Sequence, residues 1–338
     1  MKVLSCEEPG SFRYMEKEEP SLQAGHAILR IRRIGICGTD LHAFEGTQPF
    51  FHYPRVLGHE LAAEIVAIEP NIEFSVGDRV TFSPYFYCGE CIACRNGLTN
   101  CCADIKVFGV HIDGGMCEYV SVPVQYLIQG NDMSFDELAL VEPLAIGAHG
   151  IRRAGVKNGE YVLVIGAGPI GLGVMEFARI AGANVIAMDV NDQRLTFCKE
   201  NLKVVHTINP TKENALTQLR SISNYDMPTV VIDATGNLGA INSAFQYLAH
   251  GGRYVLVGLQ REAITISHPE FHKREASLMS SRNATTVDFN HVLDSMRKKY
   301  LDPATYITHR VAFDKVKDNF SSWLNPETGV IKAMVSLD

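Results

Sequence analysis

Residues Tyr161–Gly171 read YVLVIGAGPIG. Tyr161–Ile165 is a continuous apolar run, as expected of a parallel strand buried on both faces. Gly166-Ala167-Gly168-Pro169-Ile170-Gly171 follows, a G-x-G-x-x-G. Beyond it Ile170, Val174, Phe177, Ala178 and Ala181 recur at helical spacing. A second apolar strand, Val185–Met188, leads into Asp189, 18 residues past Gly171. Strand, glycine turn, helix, strand and acid in this order predict a dinucleotide site. The glycines permit a tight turn, close approach of a pyrophosphate, and close helix–strand packing. The phosphates would sit at the helix N-terminus, where free N–H groups and the dipole favour anions. An acid at Asp189 suits a ribose 2′-hydroxyl and repels a 2′-phosphate, which predicts NAD over NADP.

Working outward, Val230–Ile232 and Tyr254–Val257 add short apolar strands with helical stretches between them. Alternating strand and helix implies a doubly wound parallel sheet of right-handed crossovers. Upstream of about residue 150 the chain reads as β-rich. Ala27–Ile34, Glu64–Ile68, Arg79–Phe82 and Glu118–Val122 are short strand-like runs punctuated by turns such as Gly77-Asp78. Near the end, a polar helical stretch at Asp288–Lys299 precedes a strand-like run, Val330–Val335, that would rejoin the first domain. The expected division is 1–149 with 286–338 around an inserted 150–285.

Composition bounds the function. The chain has 338 residues, which suits two domains. Its 31 basic and 38 acidic residues give a net charge of −7, against a nucleic-acid partner. The longest apolar run, Tyr161–Met175, contains four glycines and a proline and stops at Glu176, short of a membrane span. The start, MKVLSCEEPG, shows no apolar signal core. A soluble, cytoplasmic protein is expected.

Cysteine usage agrees with that compartment. Of nine cysteines, six fall between Cys88 and Cys117. A disulfide scaffold would be shorter and tend to an even count. Cys88, Cys91, Cys94 and Cys102 have spacings that close a tetrahedral zinc site with no open position, hence a structural one. Cys101 is the neighbour that could be mistaken for the fourth ligand.

A third group is dispersed: Cys37 in GICGTDLH, His59-Glu60 in GHE, and Glu142 in VEPLA. Taken singly, these read as a core thiol, a core histidine and a helix-capping acid. Together with the four-cysteine stretch, the glycine motif and DATG at Asp233–Gly236, they occur in one order along nearly the whole chain. In that order the chain resembles the zinc-dependent medium-chain alcohol dehydrogenases, in their polyol (sorbitol dehydrogenase-like) branch.

The resemblance implies a β-rich GroES-like catalytic domain built from both chain ends, a Rossmann NAD-binding domain between them, and an active site in the cleft. It implies a homodimer or homotetramer. Cys37 and His59 become catalytic zinc ligands. Glu60 is a ligand or exchanges with water, and Glu142 ligates the metal or holds its water. Thr39 and His42 match the family's proton relay, Asp40 orients the loop, and Lys332 falls near the metal shell. One departure stands out. The family usually has glycine three residues after the GHE glutamate, where this chain has Ala63.

The implied reaction is oxidation of a secondary alcohol to a ketone, with zinc as Lewis acid and hydride passing to NAD. For the substrate, Gly46–Glu60 (GTQPFFHYPRVLGHE) and His268–Thr285 (HPEFHKREASLMSSRNAT) resemble the bacterial L-galactonate 5-dehydrogenase group. Arg282 resembles the arginine that contacts hydroxyls or the metal-site glutamate in polyol dehydrogenases; as a substrate-binding residue its guanidinium fork also matches a carboxylate, and it equally reads as a structural ion pair at the domain boundary. Phe50, Phe51 and His52 become loop residues near the pocket mouth. The aromatic pair equally reads as loop packing or a subunit contact. A neutral polyol, a polyol phosphate, threonine, or a catalytically silent NAD-binding protein are the alternatives. A zinc hydrolase would not need the glycine motif with Asp189.

Overall fold

The strand anticipated at Tyr161–Ile165 spans those residues in a computed structural model of the chain, which describes residues 1–49, 51–70 and 72–338. It lies inside a six-stranded sheet ordered His206–Ile208, Asn184–Met188, Tyr161–Ile165, Val230–Asp233, Arg253–Leu256, Ser277–Ser280. All neighbours are parallel, with Val162 opposite both Val185 and Val230. The chain steps from Tyr161–Ile165 to one edge, then returns and fills the other. That reversal is the switch point of a doubly wound fold, beside which ligands bind.

Four of the six strands carry the continuous apolar runs that mark burial on both faces. The other two, His206–Ile208 and Ser277–Ser280, are half-exposed edge strands. Their residues meet water on one side, so they show no apolar run. The helix Pro169–Ile180 is buried at every position from Gly171 to Ala178, more completely than a single apolar stripe requires. Gly166 opens the turn at φ +98°, a left-handed conformation that favours glycine. A Cβ on Gly171 would overlap the Gly166 carbonyl, so the helix start needs glycine there.

These elements belong to one compact unit, Leu144–Ala284. The other unit joins Met1–Pro143 with Thr285–Asp338. The division falls inside the helix Val141–Ala154, which no shift of composition marks.

The second unit is built on the ten-residue strand His26–Gly35, which pairs antiparallel with Glu60–Ile68, Tyr119–Pro123 and Lys332–Ser336. Its register against Glu60–Ile68 slips after Ile28 and after Ile31. Such bulges break the two-residue alternation, and Ala27, Ile28 and Leu29 are all buried in succession. Lys332–Ser336 also pairs parallel with Ile307–Ala312, so the chain's last strand does return to the sheet of its first third. Leu4, Leu29, Ile31, Ile34, Leu57, Leu61 and Phe320 form the centre of this core. Ala63 lies fully buried within the strand Glu60–Ile68, opposite Ile31 and Val80. An ordinary extended residue suffices there, so the missing glycine costs the backbone nothing. The helix anticipated at Asp288–Lys299 is observed at Thr286–Arg297, with Phe289, Val292, Leu293 and Met296 turned inward. Among the described residues, no helix is long and apolar enough to cross a membrane.

Candidate active site and metal centre

Cys88, Cys91, Cys94 and Cys102 bring their sulfurs within 4.8 Å of one another. Cys91–Cys94 and Cys88–Cys102 are each 3.5 Å apart. A tetrahedral zinc with Zn–S of about 2.3 Å needs sulfur edges of about 3.8 Å, so this donor set fits that ion. The local chain explains the gathering. Cys91 begins a one-turn helix, Ile92–Arg95. Its N–H points to Cys88 Sγ at 3.4 Å, and the Cys88 N–H to Cys102 Sγ at 3.3 Å. Backbone N–H donors, that of Ala103 foremost, pull the Cys91 thiol down to about 6, while desolvation and the neighbouring thiols push that of Cys94 up to about 12. Cys101 is exposed and outside the group.

The second cluster is assembled by one buried carboxylate. Asp40, in the first turn of the helix Gly38–Glu45, accepts from the Cys37 N–H at 3.0 Å and from the Gly58 N–H at 3.1 Å. It therefore ties the GICGTD turn to the GHE turn and sets Cys37 beside His59. Burial pushes the Asp40 carboxyl up from its ordinary value. His59 Nδ1 is buried, faces Asp40 Oδ1 at 3.8 Å and makes no hydrogen bond. A metal-ligating histidine usually has a carboxylate behind its second nitrogen, and Asp40 stands in that place. Cys37 and Glu142 both lie close enough to His59 to act on its charge.

Glu142, in the first turn of Val141–Ala154, is buried and accepts a hydrogen bond from the Tyr85 hydroxyl on Oε1. Burial pushes its carboxyl up to about 7. Glu60 is wholly buried, and Lys332 Nζ lies 2.6 Å from each of its oxygens and 3.0 Å from the Ile36 carbonyl. A thiol, an imidazole and two carboxylates thus share one buried neighbourhood, a donor set suited to zinc. Their ligand atoms are not drawn together as the cysteine sulfurs are. Among the described residues, only the four cysteines gather three or more such atoms within 4.8 Å.

Thr39 and His42 lie three apart on the helix Gly38–Glu45, Thr39 half-buried and His42 exposed. His42 Nδ1 is 3.2 Å from Thr47 Oγ1 and 3.5 Å from Glu45 Oε2. In the other unit, Arg282 is exposed just beyond the strand Ser277–Ser280. His52 is exposed, and Phe51 packs its ring on Tyr53 with centroids 4.8 Å apart. Phe50 lies outside the described residues.

At the glycine motif, Gly168 caps the helix that begins at Pro169 and Ile170. Where a Gly168 side chain would start, only the Arg194 guanidinium comes within 4 Å, so the turn offers an open cradle. Asp189 accepts from the Ala167 N–H at 2.7 Å and the Asn191 N–H at 2.8 Å, which holds its carboxylate against the glycine turn. Asp233 of DATG is spent locally, accepting from the Thr235 hydroxyl and the Thr235 and Gly236 N–H groups.

Two residues of the buried neighbourhood were poorly visible in the sequence. Tyr85 is one of three aromatic residues in PYFYC, and nothing in its spacing separates it from Phe86 or Tyr87. Lys332 reads as one polar residue at the start of a terminal strand. Only the family resemblance places it near the metal shell; its bond to Glu60 has no signal in the local sequence beyond a lysine in a run otherwise buried.

Residues 23–132 match the alcohol dehydrogenase GroES-like domain, and residues 169–298 match the zinc-binding dehydrogenase domain. The chain is 41% identical over 337 residues to L-galactonate-5-dehydrogenase of Escherichia coli, covering 99% of each protein. It is 31% identical to 2-dehydro-3-deoxy-L-galactonate 5-dehydrogenase of Pseudoalteromonas atlantica, covering 88% of each. An alcohol dehydrogenase of Escherichia coli, RspB, crystallised with its cofactor NADH, is similar with a TM-score of 0.92 and 31% identity, over 100% of this chain and 99% of that one. The chain belongs to the zinc-type medium-chain alcohol dehydrogenases, oxidoreductases that act on CH–OH groups.

Proposed function

We propose that this protein oxidises a secondary alcohol of a sugar acid to the ketone, with NAD as hydride acceptor and zinc at two sites per chain. The substrate is L-galactonate, oxidised at a hydroxyl remote from its carboxylate. The observation that carries this reading is the full-length 41% identity to L-galactonate-5-dehydrogenase. A second sugar-acid dehydrogenase, at 31%, supports the class.

Cys37, His59 and Glu142 would hold the catalytic ion, with Glu60 beside them, and Cys88, Cys91, Cys94 and Cys102 the structural one. When bound, zinc supplies Lewis acidity toward the alcohol oxygen and NAD supplies the acceptor for the carbinol hydride. The chain's own residues do the rest. Asp40 keeps the thiol and imidazole side by side through the Cys37 and Gly58 N–H groups. Lys332 neutralises Glu60 and so limits the negative charge in the pocket. Thr39 Oγ1 would accept the alcohol proton as it gives up its own, and His42, exposed on the same helix, would be the far end of that relay, releasing a proton to water. The Gly166–Gly171 turn would hold the pyrophosphate, and Asp189 would accept from the ribose 2′-hydroxyl. Arg282 offers its fork to the substrate carboxylate. The balance is one alcohol and one NAD consumed, with one ketone, one NADH and one proton released. The working particle is a homodimer or homotetramer in the cytoplasm, to be checked by light scattering and fractionation.

The test is NADH formation followed by absorbance on L-galactonate, other hexonates, sorbitol, galactitol 1-phosphate and threonine, with NAD and with NADP, before and after zinc removal. NAD- and zinc-dependent turnover of L-galactonate far above the others is expected. Turnover confined to sorbitol, the phosphate or threonine would discard the sugar acid and keep the enzyme class. No turnover with both groups bound would point first to an untested alcohol and second to a silent NAD-binding protein.

A further inference from the structure

Three consecutive aromatic residues precede the four-cysteine loop, and they part company. Phe86 stacks on Tyr126 with ring centroids 4.4 Å apart, and Tyr87 meets the same ring edge-on at 5.6 Å, part of it reaching solvent. Tyr85 alone of the three is buried and gives its hydroxyl to Glu142 Oε1. Its backbone is fixed by strand pairing with Val107. Its ring meets Phe289, a fully buried residue of the helix Thr286–Arg297, edge-on at 6.4 Å. Separate stretches of chain therefore hold this hydroxyl in place.

Glu142 has a helical backbone but a side chain with rotatable bonds of its own. A carboxylate can only accept, and a phenol on a rigid ring is a donor with a fixed reach. Both groups are buried, so water does not compete for the bond. We propose that Tyr85 is a positioning residue, whose hydroxyl fixes the Glu142 carboxylate in the pose the catalytic metal site needs. The proposal rests on the reading of Glu142 as part of that site. Outer partners of this kind orient ligating carboxylates, and their loss costs about 10–100-fold in metal affinity or activity.

The test uses the full chain with Tyr85→Phe, Tyr85→His, Tyr87→Phe and Glu142→Ala. Chelator competition measures metal affinity at each site, and the visible spectrum of the Co²⁺-substituted protein reports ligand geometry. Y85F keeps the ring that packs on Phe289 and loses only the donor. Y85F should weaken one metal site by about 10–100-fold and shift the Co²⁺ bands, with the four-cysteine metal retained. Y85H keeps a donor and should fall between Y85F and the parent, and it carries the test if Y85F fails to fold. Y87F should change nothing. Parent-like affinity and spectrum in Y85F, with E142A impaired, would overturn the role of Tyr85 alone. Parent-like behaviour of E142A would overturn both this proposal and the assignment of Glu142.

Discussion

Lys332 Nζ lies 2.6 Å from each carboxylate oxygen of Glu60, joining residues 272 positions apart. Both side chains are buried, at 2% and 0% exposure. Burial pushes the lysine down from its ordinary value, but the charge of Glu60, with Cys37 and Glu142 nearby, more than reverses that and favours the ammonium. The Ile36 carbonyl accepts from it as well, so the pair is well satisfied.

Breaking such a pair from one side leaves an uncompensated buried charge. Lys332→Met should destabilise the protein by about 3–5 kcal/mol. The double variant Lys332→Met with Glu60→Leu should recover much of that loss, because no lone charge remains. Urea unfolding of the metal-free proteins checks this. A loss in the single variant no larger than in the double would show that the pair's charge is not what matters.

The four-cysteine site should hold one metal ion per chain independently of Cys101. Cys94→Ser should lose one equivalent by elemental analysis, and Cys101→Ser should lose none. Loss of metal from C101S would mean that the fourth sulfur has been misassigned.

Asp189 is placed against the glycine turn through the Ala167 N–H. Asp189→Ser removes the charge that repels a 2′-phosphate and the acceptor for the ribose. The ratio of kcat/KM for NADP over NAD should rise roughly tenfold or more, corresponding to about 1.4 kcal/mol of lost discrimination. An unchanged ratio would place cofactor choice elsewhere.

Asp136 joins Arg33 at 3.0 Å and Arg310 at 2.6 Å, and Arg33 also reaches Asp338. Burial pushes the Asp136 carboxyl up, but the guanidinium groups of Arg310 and Arg33 outweigh it and hold it below the ordinary 3.8. A depressed folded value means stability that is present above the ordinary carboxylate range and lost as pH falls through the folded value. The difference in Tm between the parent and Asp136→Asn should be full near neutrality and shrink below about pH 4. A difference that persists undiminished into strong acid would rule out the ion pairs as its source.

Much of the architecture was legible along the chain because its causes are local. Continuous apolar runs mark strands covered on both faces. The glycine motif with Asp189 and the cysteine spacings each lie within a few turns or loops, and the four sulfurs gather while Asp189 meets the glycine turn through the Ala167 N–H. The short edge strands escaped because half their surface meets water. The buried cluster is a different matter. Cys37, His59, Glu60 and Glu142 were named from a family resemblance, not from any spacing rule. That Asp40 binds two turns at once depends on how the chain folds back on itself; that Lys332 closes on Glu60, and that Tyr85 and not Tyr87 reaches Glu142, 57 residues on, depend also on strand register. Shifting their strands by one residue would turn the Glu60, Tyr85 and Lys332 side chains the other way. The sequence alone therefore determined the elements and their chemistry, and only the tertiary pairing decided which buried charges and hydroxyls hold one another.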